Sequence, residues 1–299
     1  MRNEPGFSMV EVVVAMGLAV VLMLGLYAAY AQGTAIKSRV QGTVRIESNV
    51  RLAMDRMERD LRVAGFGVPQ GIEIGGSASW TPVIFYASQT GIGYRADIDG
   101  GSAGIICTPK STNSVCPLNK LRLDSIRYYQ ALNCDAPDGT FGGLRVVVSV
   151  ERDDWEPAIC SGYSTSDDSI SMTTTLTNAT FTAGESNVAT IEQVYYRYVP
   201  GSQQPYGSLE RFVRYGNSPD GLFPPTGVSW TTVADHLTDF WLEYQDTTGA
   251  TLIGSPLSMA NRAAVHKIVL FVEGYDRIGP QGQPQLIQAR SEILLRNRS

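Results

Sequence analysis

The chain has 299 residues and 32.5 kDa, enough for one large domain or two smaller ones. Hydrophobic residues make up 43% and charged residues 18%, so the chain can bury a core and wholesale disorder is excluded. A net charge of -5 argues against a global nucleic-acid-binding surface, and two His and four Cys leave little for a catalytic or zinc cluster. The charge is unevenly spread: the first 62 residues hold 8 basic and 6 acidic groups, whereas residues 63–299 hold 16 basic and 23 acidic. Two physically different parts share the chain.

Residues 12–31, VVVAMGLAVVLMLGLYAAYA, carry no charge. As a helix this run spans roughly 30 Å, one bilayer core. An ordinary secretory signal peptide fits poorly, because the leader MRNEPG is short, its Arg2 is offset by Glu4, and the apolar run exceeds the usual h-region. Glu11 is the odd residue in GFSMVEVVVAMG. A carboxylate at the edge of hydrocarbon is costly and needs a partner. Cleavage after Gly6 would supply one, the new amine of Phe7.

Gly6, Phe7 and Glu11, ahead of an apolar helix, resemble the type IV pilin and pseudopilin superfamily with its class III signal peptide. The resemblance implies that a prepilin peptidase cuts between Gly6 and Phe7 and methylates the new amine, and that Glu11 serves assembly. It also implies partners: other minor and major pilins and an inner-membrane pilus assembly platform. Major pilins usually carry a helix-kinking Pro where Ala28 stands here, which argues for a minor subunit. Lys37, Arg39 and Arg45 follow the apolar run, so the orientation rests on the cleavage motif rather than on the positive-inside count.

Apolar residues recur at Ile36, Val40, Val44, Val50, Met54, Met57 and Leu61, a helical stripe that continues beyond the membrane. Asp55–Arg59 and Glu58–Arg62 are favourable i,i+4 pairs. Gly65, Gly67 and Pro69 end the pattern, which predicts one helix over about 8–64, roughly 85 Å long.

From Ile72 onward the sequence reads as strands and loops. Strands are predicted at Pro82–Ala87, Leu121–Gln130, Leu144–Glu151, Ser169–Leu176, Glu192–Tyr198, Leu209–Tyr215, Phe240–Tyr244, Val265–Val272 and Ser291–Arg296. The segment from Tyr195 to Gly216 reads as a hairpin with a longer loop. Within VHKIVLFVEG both faces carry large apolar residues, which predicts a central strand. Residues 190–299 resemble more loosely the carboxy-terminal half of PilW-like minor pilins, through SLERFVR, LTDFWLEYQD, VHKIVLFV and EILLRNR.

Cys107, Cys116, Cys134 and Cys160 all lie in the middle region. An even number outside the cytoplasm implies two disulfides with three possible pairings, of which Cys107–Cys116 with Cys134–Cys160 is the expected one. Zinc is disfavoured by spacing and by the lack of a nearby His. The run Asp97, Asp99, Gly100 opens like a calcium loop, but the required acidic twelfth position is Thr108, so a solvated turn is expected. His236 and His266 sit in or beside predicted strands as packing or surface residues. No catalytic motif occurs, and neither enzyme activity, cofactor nor metal is expected.

The expected fold class is α+β. A long N-terminal α-helix, membrane-spanning in its first half, packs against a mainly antiparallel β head with an elaborated, disulfide-containing insertion. The organisation reads as a leader (1–6), a transmembrane and filament-core helix (7–36), an amphipathic helix (37–64), a head with a Gly-rich insertion (65–190) and a C-terminal β-rich part (191–299). The expected role is a minor pilin in type IV pilus assembly, in the priming or tip complex. Before assembly it would stand in the bacterial inner membrane with its head in the periplasm, and afterwards in the pilus. Two rivals remain: a minor pseudopilin of a type II secretion system, usually with a smaller head, and a membrane-anchored binding or DNA-uptake protein, whose one local hint is the strand Arg211–Arg214.

Overall fold

In the computed structural model the described residues are 8–65, 83–96, 102–125, 145–150, 155–172, 176, 181–190, 192–201, 206–214, 228–278 and 283–295. Gly6, Phe7, the acidic run 97–100 and Cys134 lie outside them, as do the predicted strand residues 126–130.

A single helix, α1 (Met9–Arg62), runs as the sequence predicts and is about 80 Å long. Thirteen strands follow among the described residues. They are β1 (Ile84–Ser88), β2 (Gly91–Ala96), β3 (Ser102–Gly104), β4 (Lys120–Arg122), β5 (Arg145–Val150), β6 (Trp155–Ser164), β7 (Ser169–Met172), β8 (Ser186–Thr190), β9 (Glu192–Val199), β10 (Gly207–Arg214), β11 (Thr231–Gln245), β12 (Lys267–Ile278) and β13 (Gln283–Leu294), with a short helix α2 (Met259–Ala264) before β12. Every strand pair is antiparallel.

Seven strands form one sheet in the order β1-β2-β9-β10-β11-β12-β13. The hairpin β1–β2 thus joins the sheet otherwise built from residues beyond 191, through β2 beside β9. The predicted hairpin is β9–β10, with Tyr198 opposite Leu209. The predicted central strand is β12, flanked by β11 and β13, and its Ile268, Leu270 and Val272 are buried. These residues meet Ile46, Val50, Ala53, Met57 and Leu61 of α1 in one apolar core.

The second half of α1 lies on this sheet, but the stripe is shifted from the expected one. Ile36, Val40 and Val44 are exposed, and Ile46 is the first apolar side chain to be buried. Periodicity identifies the apolar face; where the sheet begins to cover it depends on β12. Gly274 marks that place. A Cβ there would stand 2.6 Å from Ile46 Cγ2 and 2.7 Å from Val50 Cγ2, so helix and strand touch backbone to side chain. Gly274→Val is expected to cost about 1–3 kcal/mol by overpacking this contact. Thermal unfolding checks it, and an unchanged melting temperature would mean that the helix does not sit here.

The remaining six strands run β3-β8-β5-β6-β7-β4. The two end strands meet. Ile105 and Leu123 form an antiparallel bridge, Ile106 N–H donates to the Arg122 carbonyl at 2.9 Å, and Asp124 N–H donates to the Gly104 carbonyl at 3.0 Å. The strand order therefore closes into a ring around a second core containing Ile105, Leu121, Leu123, Ile170, Phe181 and Val188. Lys120 Nζ at 2.6 Å, with Ser164 and Ser169, holds the Asp167 carboxyl well below the usual carboxylate range and ties β4 to the turn before β7. Cys107 and Cys116 are disulfide-bonded in the β3–β4 connection, as expected. Cys160 is also oxidised, and the partner expected for it is Cys134.

Candidate assembly site

The N-terminal half of α1 has a stretch of 18 residues with mean hydropathy 2.5, none of it buried within the chain. Val13, Leu18, Leu22, Leu26 and Tyr30 all stand more than half exposed. Such a surface is not viable in water and calls for lipid or other helices around it.

Ser8 starts this helix. Its Oγ accepts from Val10 N–H at 3.4 Å, and Glu11 Oε2 accepts from Ser8 N–H at 3.0 Å, a capping box. Glu11 therefore has a hydrogen-bond donor within its own chain, while the amine that cleavage would free on Phe7 lies outside the described residues. The S-x-x-E signal was present in SMVE at residues 8–11. The apolar run around it draws attention to desolvation instead.

At its other end α1 is fastened by an acidic group on its buried stripe, whose partners spacing alone does not reveal. Asp60 faces the sheet with its side chain 6% exposed. Its Oδ2 accepts from Tyr196 Oη at 2.7 Å and from Arg211 Nε at 2.8 Å, with Arg56 Nε at 3.4 Å one turn earlier on the helix. The cluster joins α1 to β9 and β10. Burial, then the Asp60 charge, push the Tyr196 phenol above its usual pKa, so Tyr196 stays a donor. Burial works against the Arg211 charge, but neighbouring Tyr196 and Asp60 outweigh it and raise its pKa. Arg211 was the hint for nucleic-acid binding, and here its side chain is 18% exposed and committed to Asp60.

Tyr94 stands within electrostatic reach of the same cluster, fully buried, and burial pushes its phenol far up. Its hydroxyl has no hydrogen-bond partner among the described residues. A buried unpaired hydroxyl is a liability. Tyr94→Phe is expected to leave stability unchanged or raise it by about 1 kcal/mol, measured by urea unfolding. A loss above about 1 kcal/mol would show that the hydroxyl is bonded after all.

Nearer its N-terminal half, α1 holds the sheet by exposed contacts. Asn49 Nδ2 donates to the Asp235 carbonyl at 3.0 Å, and Arg45 lies 3.8 Å from the Asp235 carboxylate and 3.3 Å from His236 Nδ1. His236 has φ 58, unusual for a side chain of this size, and sits just before the register shift of β11 against β12. Of the two predicted helix pairs, Glu58–Arg62 forms at 2.9 Å; Asp55–Arg59 is not found among the described ion pairs. The Glu58 carboxylate also accepts from Ser291 of β13.

No curated protein and no solved structure matches the chain. Residues 1–27 match the prokaryotic N-terminal methylation motif. The motif implies processing by a prepilin peptidase and assembly with other pilins, and with the bare apolar helix it fits anchoring in the inner membrane. A methylation motif leading into a 54-residue helix, half bare and half docked on an antiparallel head, marks the chain as a type IV pilin-like protein.

Proposed function

We propose that this chain is a minor pilin, a structural subunit of the type IV pilus that works in the priming or tip complex and has no enzymatic role. The observation that carries the reading is the division of α1. From Met9 to Ala31 it offers apolar surface with one carboxylate, the form needed to leave lipid for a bundle of like helices, and its second half is bolted to a large two-part head. Ala28, in place of the usual Pro of major pilins, favours a minor subunit over a major one, and the size of the head favours a pilus over a type II secretion system. The partners proposed are the prepilin peptidase, other minor and major pilins, and the inner-membrane assembly platform. Until assembly the head stands in the periplasm.

Processing tests the reading. Protein recovered from sheared filaments is expected to begin at Phe7 with a methylated amine, read by N-terminal sequencing and intact mass. Gly6→Leu is expected to remain uncut in the membrane fraction. A wild-type protein still beginning at Met1 would overturn the proposal.

A further inference from the structure

Between its apolar span and the head, α1 has a neck. The uncharged run ends at Ala31, and Ile46 is the first apolar side chain buried on the sheet. Residues 32–45 therefore rise for roughly 20 Å with no side chain buried.

The neck carries charge of one sign. It holds Lys37, Arg39 and Arg45, and no acidic residue occurs from Val12 to Ile46. Arg45 lies 3.8 Å from the Asp235 carboxylate, and Glu47, the next carboxylate along the helix, pairs with Arg51. Lys37 and Arg39 are both exposed, and neither side chain has an ion pair or hydrogen bond among the described residues.

Height determines what these two cations meet. Tyr27 and Tyr30, each 73% exposed, close the apolar run at the level where aromatic side chains mark the membrane–water interface. Lys37 and Arg39 follow Ala31 by roughly 9 and 12 Å along the helix axis. The headgroup layer is about 5–8 Å deep on each side of the hydrocarbon. Helical side chains lean toward the N-terminus, here toward the bilayer, and these two are long enough to snorkel back into that layer. They point to opposite sides of α1, roughly 200° apart, so one phosphate cannot serve both. A cationic flank outside the cytoplasm also works against the orientation that cleavage after Gly6 requires, unless negative charge meets it there.

We propose that Lys37 and Arg39 each hold the headgroup of an anionic phospholipid in the outer leaflet of the inner membrane, one on either side of the helix. The inference rests on the reading of this chain as a membrane-anchored subunit with its head in the periplasm. A zwitterionic headgroup carries its own cation beside the phosphate, so a net negative one is the better match. The two contacts fix the depth at which the subunit waits. Sinking would draw two cations toward hydrocarbon, and rising would bring the run before Tyr30 into water. Extraction into a filament breaks both contacts.

The test uses full-length protein reconstituted in phosphatidylcholine vesicles with a trace of spin-labelled phosphatidylglycerol or spin-labelled phosphatidylcholine. Electron spin resonance reads the fraction of label slowed at the protein. The phosphatidylglycerol probe is expected to associate about fivefold more strongly at low salt. The preference should fade in about 1 M salt, where charges are screened within about 3 Å. Lys37→Gln combined with Arg39→Gln should remove most of it, whereas Arg51→Gln, roughly 30 Å beyond the span, should leave it intact. Gln has nearly the helix propensity of Lys and Arg, so every variant is expected to keep the wild-type melting temperature of the head. Equal association of the two probes with wild type, or a preference that survives the double substitution undiminished, would overturn the proposal and leave the neck cations to acidic groups of a neighbouring subunit. If cells cut the chain after Gly6 and expose its head to protease in the periplasm while the preference is absent, only this inference fails. If the chain stays uncut or its head is cytoplasmic, the pilin reading itself fails.

Discussion

Asp60→Ala is expected to destabilise the head by about 3–5 kcal/mol, the usual consequence of removing one partner from a buried ion pair. Arg211 would be left largely buried with its main anion gone, and Tyr196 Oη would lose its acceptor at 2.7 Å. The pair itself need not be strongly stabilising relative to apolar residues of the same volume; the cost lies in leaving it half made. Asp60→Asn should lose less, because the amide oxygen still accepts from Tyr196. Asp55→Ala, on the exposed side of the same helix, should stay within about 0.5 kcal/mol of wild type. Urea unfolding of the three variants decides it. Equal loss for Asp60→Ala and Asp55→Ala would show that Asp60 is solvated and that the apolar contacts alone fasten the helix.

That fastening explains why the helix can be read from sequence while its attachment cannot. Residues 12–31 without a charge and an apolar repeat beyond them specify a helix, and the ends fall within two residues of expectation. The attachment depends on residues 60, 196 and 211, which become neighbours only when β9 and β10 pair at Tyr196 and Arg211. Helical spacing sets Asp60 on the stripe of Ala53, Met57 and Ala64 and Asp55 off it, but spacing does not say what Asp60 meets there. In the same way Gly274 reads as a turn signal after VHKIVLFVE, although β12 continues through it to Ile278 because only a residue without a side chain lets Ile46 and Val50 approach.

Strands were legible where both faces are apolar. Val269 and Phe271 opposite Ile268 and Leu270 announce β12, and the structure pairs it on both sides. β2, β3, β6 and β8 were missed. Gly91 and Gly93 make β2 look like a loop, Pro157 breaks the pattern of β6, and Ser186–Thr190 is too polar to stand out. These strands owe their existence to neighbours: β2 is wholly buried between β1 and β9, and β3 and β8 belong to the ring that closes at Ile105. The ring itself was illegible, because closure is a relation between Ile105 and Leu123 and not a property of either segment.

Glu11→Gln is expected to lower incorporation into filaments by about tenfold or more while leaving helix and head intact. The capping box makes this substitution informative. Glutamine at the same place can still accept from Ser8 N–H, so the start of α1 is kept and the charge alone is removed. The head, held by contacts beginning near Ile46, is more than 30 residues away and should unfold at the wild-type urea midpoint. What changes is the charge balance after cleavage. The cationic amine of Phe7 would enter a water-poor bundle with no carboxylate from its own chain, and an uncompensated ion there is costly. Glu11→Ala removes charge and cap together and should add a loss of about 1 kcal/mol in helix stability. The two variants therefore separate two roles. If Gln behaves as wild type and Ala fails, Glu11 serves as a cap and its charge is dispensable. If both fail equally, with cleavage after Gly6 complete, the charge is what assembly needs. The fraction of protein in sheared filaments against the inner membrane, taken beside N-terminal sequencing, reads the difference.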